Sequence, residues 1–213
     1  MGKKVKYILL SAFIVGVGAF FYLKYYVSKL RRQIVFQAKA EAEKWKPYDE
    51  LDVETAKIIQ QYWKDGVGLN FTTEQILDPD FQKTWAWSAA FVSWVVKASG
   101  GDTFPVHQTH AHYIIKTTEN RKNNTGDFKA YSTDEAKPQI GDIVCRRRGS
   151  SNATYDNVSM GDTLHCDIVT DVDDSTLEVV GGNLYNKVKT AELSLNDKGY
   201  LTDKDYFVII KGK

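Results

Sequence analysis

Ser88 opens the stretch SAAFVSWVVKASG, His165 opens HCDIV, and Asn183 follows the two glycines of VVGGN. A hydroxyl, an imidazole and a carboxamide in that order can serve as nucleophile, general base and the group that orients the base. At the start of a helix, Ser88 would have the macrodipole and unpaired backbone N–H groups to stabilise a developing oxyanion. Each residue also has a plain structural reading: Ser88 as an N-cap, His165 as a core histidine, Asn183 as a turn residue. A second constellation lies in FPVHQTHAHYI, where His107 and His110 have an i, i+3 spacing and His112 follows. With His165 or Asp167 these could ligate zinc. There is no His-Glu-x-x-His, however, and His110 reads instead as a residue that lines a cleft or bonds locally. Neither a metal nor a cofactor is expected.

These residues need elements to hold them. The segment from Trp85 to Gly100 is apolar almost all round, so it reads as a buried helix. Asp52 reads as the N-cap of a helix running through about Lys64, stopped by Gly66 and Gly68. A short helix is expected from Thr72 or Thr73, and another through AHYIIKTTENRK from about Thr109. After Pro138 the texture changes. GDIVCRR, LHCDIVTDV, TLEVVGG, NKVKTAEL and YFVIIKG are short, β-branched and separated by turn residues. Helices followed by strands argue for an α+β fold, with helices packed on one side of an antiparallel sheet. Period-two alternation puts His165 and Asp167 on one face of their strand and Cys166 on the other. Cys145 and Cys166 would pair in an oxidising compartment and remain two buried thiols in a reducing one.

The N-terminus reads differently. Lys3, Lys4 and Lys6 precede an uncharged run from Tyr7 to Leu23, with Tyr22, Tyr25 and Tyr26 suited to a membrane interface. Val17-Gly18-Ala19 would serve as the cleavage site if the run were a signal peptide. The run exceeds a usual signal core of about 7–15 residues, and helical spacing continues beyond it, which favours an uncleaved anchor. Val27, Leu30, Ile34 and Ala38 fall at three- and four-residue steps up to Pro47. The expected organisation is therefore a transmembrane signal-anchor over residues 1–23, a helical stalk over 24–46 and a folded domain over 47–213. A net charge of +1 gives no electrostatic reason to expect a nucleic-acid partner. The run Arg146-Arg147-Arg148 reads as a solvated loop edge.

The ordered set WSAAFVS (Trp87 to Ser93), PQIGDIVC (Pro138 to Cys145), HCDIV (His165 to Val169) and GGN (Gly181 to Asn183) resembles an uncharacterised bacterial family within the papain-like amidase and peptidase superfamily of the CHAP and NlpC type. The resemblance covers roughly Asp52 to Val188. It implies a papain-like half-barrel in which Ser88 occupies the superfamily's cysteine position, His165 its histidine and Asn183 its third polar residue. Trp87, His110 and Asp167 are then expected to contact substrate. A hydroxyl is a poorer nucleophile than a thiol. Ser88 is therefore either activated as in serine hydrolases or marks a site that no longer hydrolyses.

The resulting expectation is a single-pass protein of the bacterial inner membrane, its domain facing the periplasm and cutting amide bonds of peptidoglycan as an endopeptidase or amidase. The alternatives are a non-catalytic binder of wall peptides or of an envelope or secretion-system partner, and a zinc-dependent hydrolase.

Overall fold

The structure, a computed structural model, describes residues 28–213. The expected membrane segment lies outside the described residues. Among the described residues no helix is long and apolar enough to cross a membrane.

The fold is α+β, helices first and then one antiparallel sheet. Helix α1 (Lys29–Lys44) is capped by Ser28, whose hydroxyl accepts from the Arg31 N–H. Helix α2 (Val53–Gln61) runs on into a π-helical turn, Tyr62–Val67. Two short helices follow. In α3 (Thr73–Ile76), Thr72 and Gln75 form a reciprocal capping box, and α4 (Pro79–Thr84) starts on a proline. Nine of the eleven residues of α5 (Ser88–Ala98) are buried, which makes it the central helix that its composition predicts. Helix α6 spans His110–Lys122.

The strands are β1 (Phe128–Ser132), β2 (Ile143–Arg147), β3 (Leu164–Val172), β4 (Thr176–Gly181), β5 (Lys189–Ser194) and β6 (Tyr206–Gly212). They lie in the order β1-β6-β2-β3-β4-β5. Strand β1 and helix α4 were not foreseen, the strand because FKAYS alternates too weakly to stand out. Ile143, Ile168, Val180, Val208 and Ile210 join the large core formed with the helices. Their neighbours Val144, Val169, Val179 and Ile209 belong to a second, smaller core. This is period-two alternation written across four adjacent strands. Cys145 and Cys166 face each other in the β2–β3 register and form a disulfide.

The segment expected as a stalk is helical but does not stand apart from the domain. Ile34 and Ala38 are buried in the large core, and Trp45 stacks on Trp87 with ring centroids 4.9 Å apart. The Gly141-Asp142 pair of the IGDIV motif receives this helix. Arg31 Nη2 lies 2.5 Å from Asp142 Oδ1, and Arg31 Nε donates to the Ile140 carbonyl at 2.8 Å. A Cβ on Gly141 would stand 2.7 Å from the Arg31 Cβ, and the residue's φ of +81° disfavours a side chain in any case. Lys211 of β6 reaches the other Asp142 oxygen at 2.7 Å, and the Gln139 N–H donates to the same oxygen at 2.8 Å. One buried carboxylate thus joins α1, the start of β2 and β6. Burial pushes its pKa up, while Arg31 and Lys211 pull it back; the net direction is upward.

Candidate active site

Ser88 is the first residue of α5, and it does not cap the helix. The N-cap is Trp87, which makes no side-chain capping bond, so the N–H groups of the first turn receive no side-chain cap from it. The Ser88 hydroxyl lies 2.8 Å from His110 Nε2. His110 is itself the first residue of α6, so two helix starts meet at this bond. The other ring nitrogen, Nδ1, bonds the hydroxyl of Tyr113 one turn further along α6. Both Ser88 and His110 are buried, yet they line a cleft of about 480 Å³ whose walls include Trp63, Trp85, Arg148 and Leu164.

Behind His110 sits a second polar group. The His165 ring lies 5.3 Å from the His110 ring, centroid to centroid. His165 Nε2 is 2.9 Å from Asp167 Oδ1, and the Tyr206 hydroxyl donates to Asp167 Oδ2 at 2.9 Å. His165 Nδ1 is buried and has no hydrogen-bond partner among the described residues.

The electrostatics follow from burial. Desolvation drives the His110 pKa well below its ordinary value, and nearby His165, Arg148 and Arg146 push it the same way, so the ring is neutral at neutral pH. Burial alone would raise Asp167. Electrostatic attraction to His165, the hydrogen bonds from His165 and Tyr206, and Arg146 together outweigh it, leaving the carboxylate below its ordinary range. Burial and the proximity of Asp167 hold the proton on Tyr113.

The expected residues are therefore partly regrouped. Ser88 bonds His110 rather than His165. His165 is oriented by Asp167, two residues along its own strand, rather than by Asn183. Asn183 is in a left-handed turn with a φ of +58° and lines a different pocket, next to Arg146 and Tyr185. The two glycines before it explain the motif. A Cβ on Gly181 would stand 2.0 Å from Asp167 Oδ1, and one on Gly182 would stand 2.6 Å from the Phe91 Cβ. GGN makes room for the Asp167 carboxylate and for α5; it does not deliver Asn183 to the imidazole. Trp87 does not reach the cleft. It is fully buried, and its indole N–H donates to Glu50 at 3.0 Å. The tryptophans on the cleft wall are Trp63 and Trp85. Asp167 is also buried, behind His165, and not on the cleft wall.

The histidines of the 107–112 segment diverge. His107 and His112 stack on each other with centroids 4.1 Å apart, while His110 turns to Ser88. Among the described residues no group of three or more His, Cys, Asp or Glu is placed to hold a metal ion. Reading the sequence missed Tyr206, whose strand lies far along the chain, and Arg148, which borders the cleft. The sequence pointed to Tyr113 only through the His-then-Tyr pattern of the family that the chain resembles, matched by His110 and Tyr113.

Gly181→Ala is expected to displace the Asp167 carboxylate and cost about 1–3 kcal/mol in stability, the usual penalty for overpacking. A thermal melt reads this directly. An unchanged melting temperature would mean that the turn yields and the carboxylate does not move.

Residues 56–211 match a family described as an uncharacterized protein conserved in bacteria (DUF2272). No curated protein and no solved structure matches the chain.

Proposed function

The chain belongs to that bacterial family, and we propose that it is a serine-dependent amide hydrolase of peptidoglycan, an endopeptidase or amidase of papain-like, CHAP/NlpC-type descent. The observation that carries this reading is the 2.8 Å bond between Ser88 Oγ and His110 Nε2 at the head of a buried helix bordering a cleft. A nucleophile, a neutral base and uncapped N–H groups are what acyl transfer requires.

In the proposed reaction His110 donates its Nδ1–H to the Tyr113 oxygen, which leaves Nε2 as the acceptor. Ser88 Oγ attacks the amide carbonyl, and its proton passes to Nε2. The N–H groups of the first turn of α5 bind the oxyanion. The C–N bond then breaks, with His110 returning the proton to the departing amine. Water, activated by the same nitrogen, releases the acyl group from Ser88. His165, held by Asp167, stands behind His110 and opposes its protonation, which keeps the base neutral.

The substrate and location rest on other support. The apolar run from Tyr7 to Leu23 behind three lysines suits an anchor in the bacterial inner membrane. The Cys145–Cys166 disulfide suits an oxidising compartment such as the periplasm. A cutter tethered there has the wall within reach. The second reading, a non-catalytic wall-peptide or envelope-partner binder, draws support from the burial of Ser88 at 3% exposure.

Digestion of purified peptidoglycan by the full chain, read by mass spectrometry, separates the two. New fragments from the wild type that disappear with Ser88→Ala are expected, together with fluorophosphonate labelling of Ser88. No fragments and no labelling, with retained binding to wall material, would establish the binder instead.

A further inference from the structure

The cleft that holds Ser88 has a neighbour. A second pocket, of about 490 Å³, is lined by Arg146 and Arg147 from the end of β2, by Arg148 just beyond it, by Asp205, which pairs with Arg147, and by Asn183, Tyr185 and Asn186 from the turn after β4. Arg148 lines both cavities. The three arginines are not equivalent. Arg147 is committed to the structure: it donates to the carbonyls of Ala153 and Lys204 and lies 3.6 Å from Asp205. Arg146 stands over the Tyr206 ring at 5.9 Å. Neither Arg146 nor Arg148 forms a salt bridge among the described residues. Their guanidinium forks are available, one half-buried and one exposed.

The loop opposite is shaped for close approach. Asn183, Tyr185 and Asn186 all have positive φ, and the turn is closed by reciprocal backbone bonds between Leu184 and Lys187. This leaves two carboxamides and an exposed phenol among the residues lining the same pocket as the arginines. Planar forks paired with amide donors suit a carboxylate, which a guanidinium grips through two parallel N–H···O bonds. The protein's net charge of +1 argues against a diffuse basic face, so the recognition is local.

From this arrangement we infer that Arg146 and Arg148 form a specificity subsite for a free carboxylate on the peptide substrate, beside the amide presented to Ser88. The inference deepens the proposed hydrolase by naming its substrate class: acidic peptides, in preference to the same peptides with their carboxylates blocked. Arg148 acts as the hinge between the two cavities, close enough to both to couple occupancy of one to the position of the amide in the other.

The test is a binding titration on the full chain carrying Ser88→Ala, which removes turnover from the readout. The probes are soluble muropeptides with free carboxylates and the same muropeptides converted to methylamides. The free-acid form is expected to bind at least about ten-fold tighter, one well-made charged contact being worth that much. Arg146→Gln with Arg148→Gln should abolish the preference, so that the free-acid and methylamide forms bind alike. Equal binding of the two forms would overturn the inference, as would a preference that survives the double variant. Inorganic phosphate is the further probe: if it binds through the arginines but the acid and methylamide peptides bind alike, the site takes a phosphate and the peptide assignment fails. Because nothing in this titration depends on hydrolysis, its outcome is separate from that of the peptidoglycan digestion. Selective binding without digestion would sink the hydrolase alone, and digestion without selectivity would sink the carboxylate subsite alone.

Discussion

Replacing His110 with alanine should reduce the proposed peptidoglycan hydrolysis by about 10³-fold, within the usual range for a general base, whereas His165→Ala should cost far less. The order is the reverse of what the chain suggests when read alone, and it follows from one contact. The Ser88 hydroxyl bonds His110 Nε2 at 2.8 Å, while both close contacts on the His165 side are to Asp167 and the His110 ring. The pH dependence supplies a second readout. Burial, then His165, Arg148 and Arg146, hold the His110 pKa well below its ordinary 6.5. A base must be unprotonated to act, so the acid limb of kcat/KM should have its midpoint below that value. Arg148→Gln removes a positive neighbour, which makes protonation easier and moves the midpoint upward. A wild-type midpoint at or above 6.5 would rule His110 out as the base, and a rate that falls more with His165→Ala than with His110→Ala would assign the role to His165.

The largest effect on stability should come from Asp142→Ala. We expect a loss of about 3 kcal/mol, the scale for stripping one partner from a buried ionic group. For a domain of this size that lowers the melting temperature by about 10 °C. The carboxylate is wholly buried and meets Arg31 at 2.5 Å, Lys211 at 2.7 Å and the Gln139 N–H at 2.8 Å. Alanine would leave two cations and an amide facing an apolar gap. Asp142→Asn keeps one acceptor oxygen, sets an NH2 donor against the donors on the other side and removes the charge, and should fall between alanine and wild type. Asp197, in an exposed turn, is the control: its replacement by alanine should stay within about 0.5 kcal/mol. A small loss for Asp142→Ala would show that Arg31 and Lys211 find solvent easily and that α1 is held by its apolar face alone.

The contrast between these two sites shows what the chain reveals on its own. The helix-then-strand order, the burial of α5 and the alternation through β2, β3, β4 and β6 are local properties, set by periods of 3.6 and 2. They are legible because every residue of a stripe testifies to the same face. Ile34 and Ala38 likewise announced a covered face on α1, but a stripe says that something lies against it and not what. Domain and stalk were therefore indistinguishable until Asp142 was seen to grip Arg31. The site is less legible still. Ser88 and His110 lie on different helices, and which of two histidines meets the hydroxyl depends on how α6 is set down against α5 and β3. Gly181 and Gly182 leave room for a close approach, but the side chains needing that room, Asp167 and Phe91, lie elsewhere in the chain.

The Cys145–Cys166 bridge brackets the irregular segment between β2 and β3, and the exposed Arg148 lies within that segment. An exposed arginine in an irregular loop is a natural point of attack for proteases. Cleavage there would leave one covalent molecule, because the bridge spans the cut. The two pieces would migrate together on a gel until a thiol was added. The disulfide thus does more than brace two strands that already pair: it lets the molecule tolerate wear at the loop bordering both cavities.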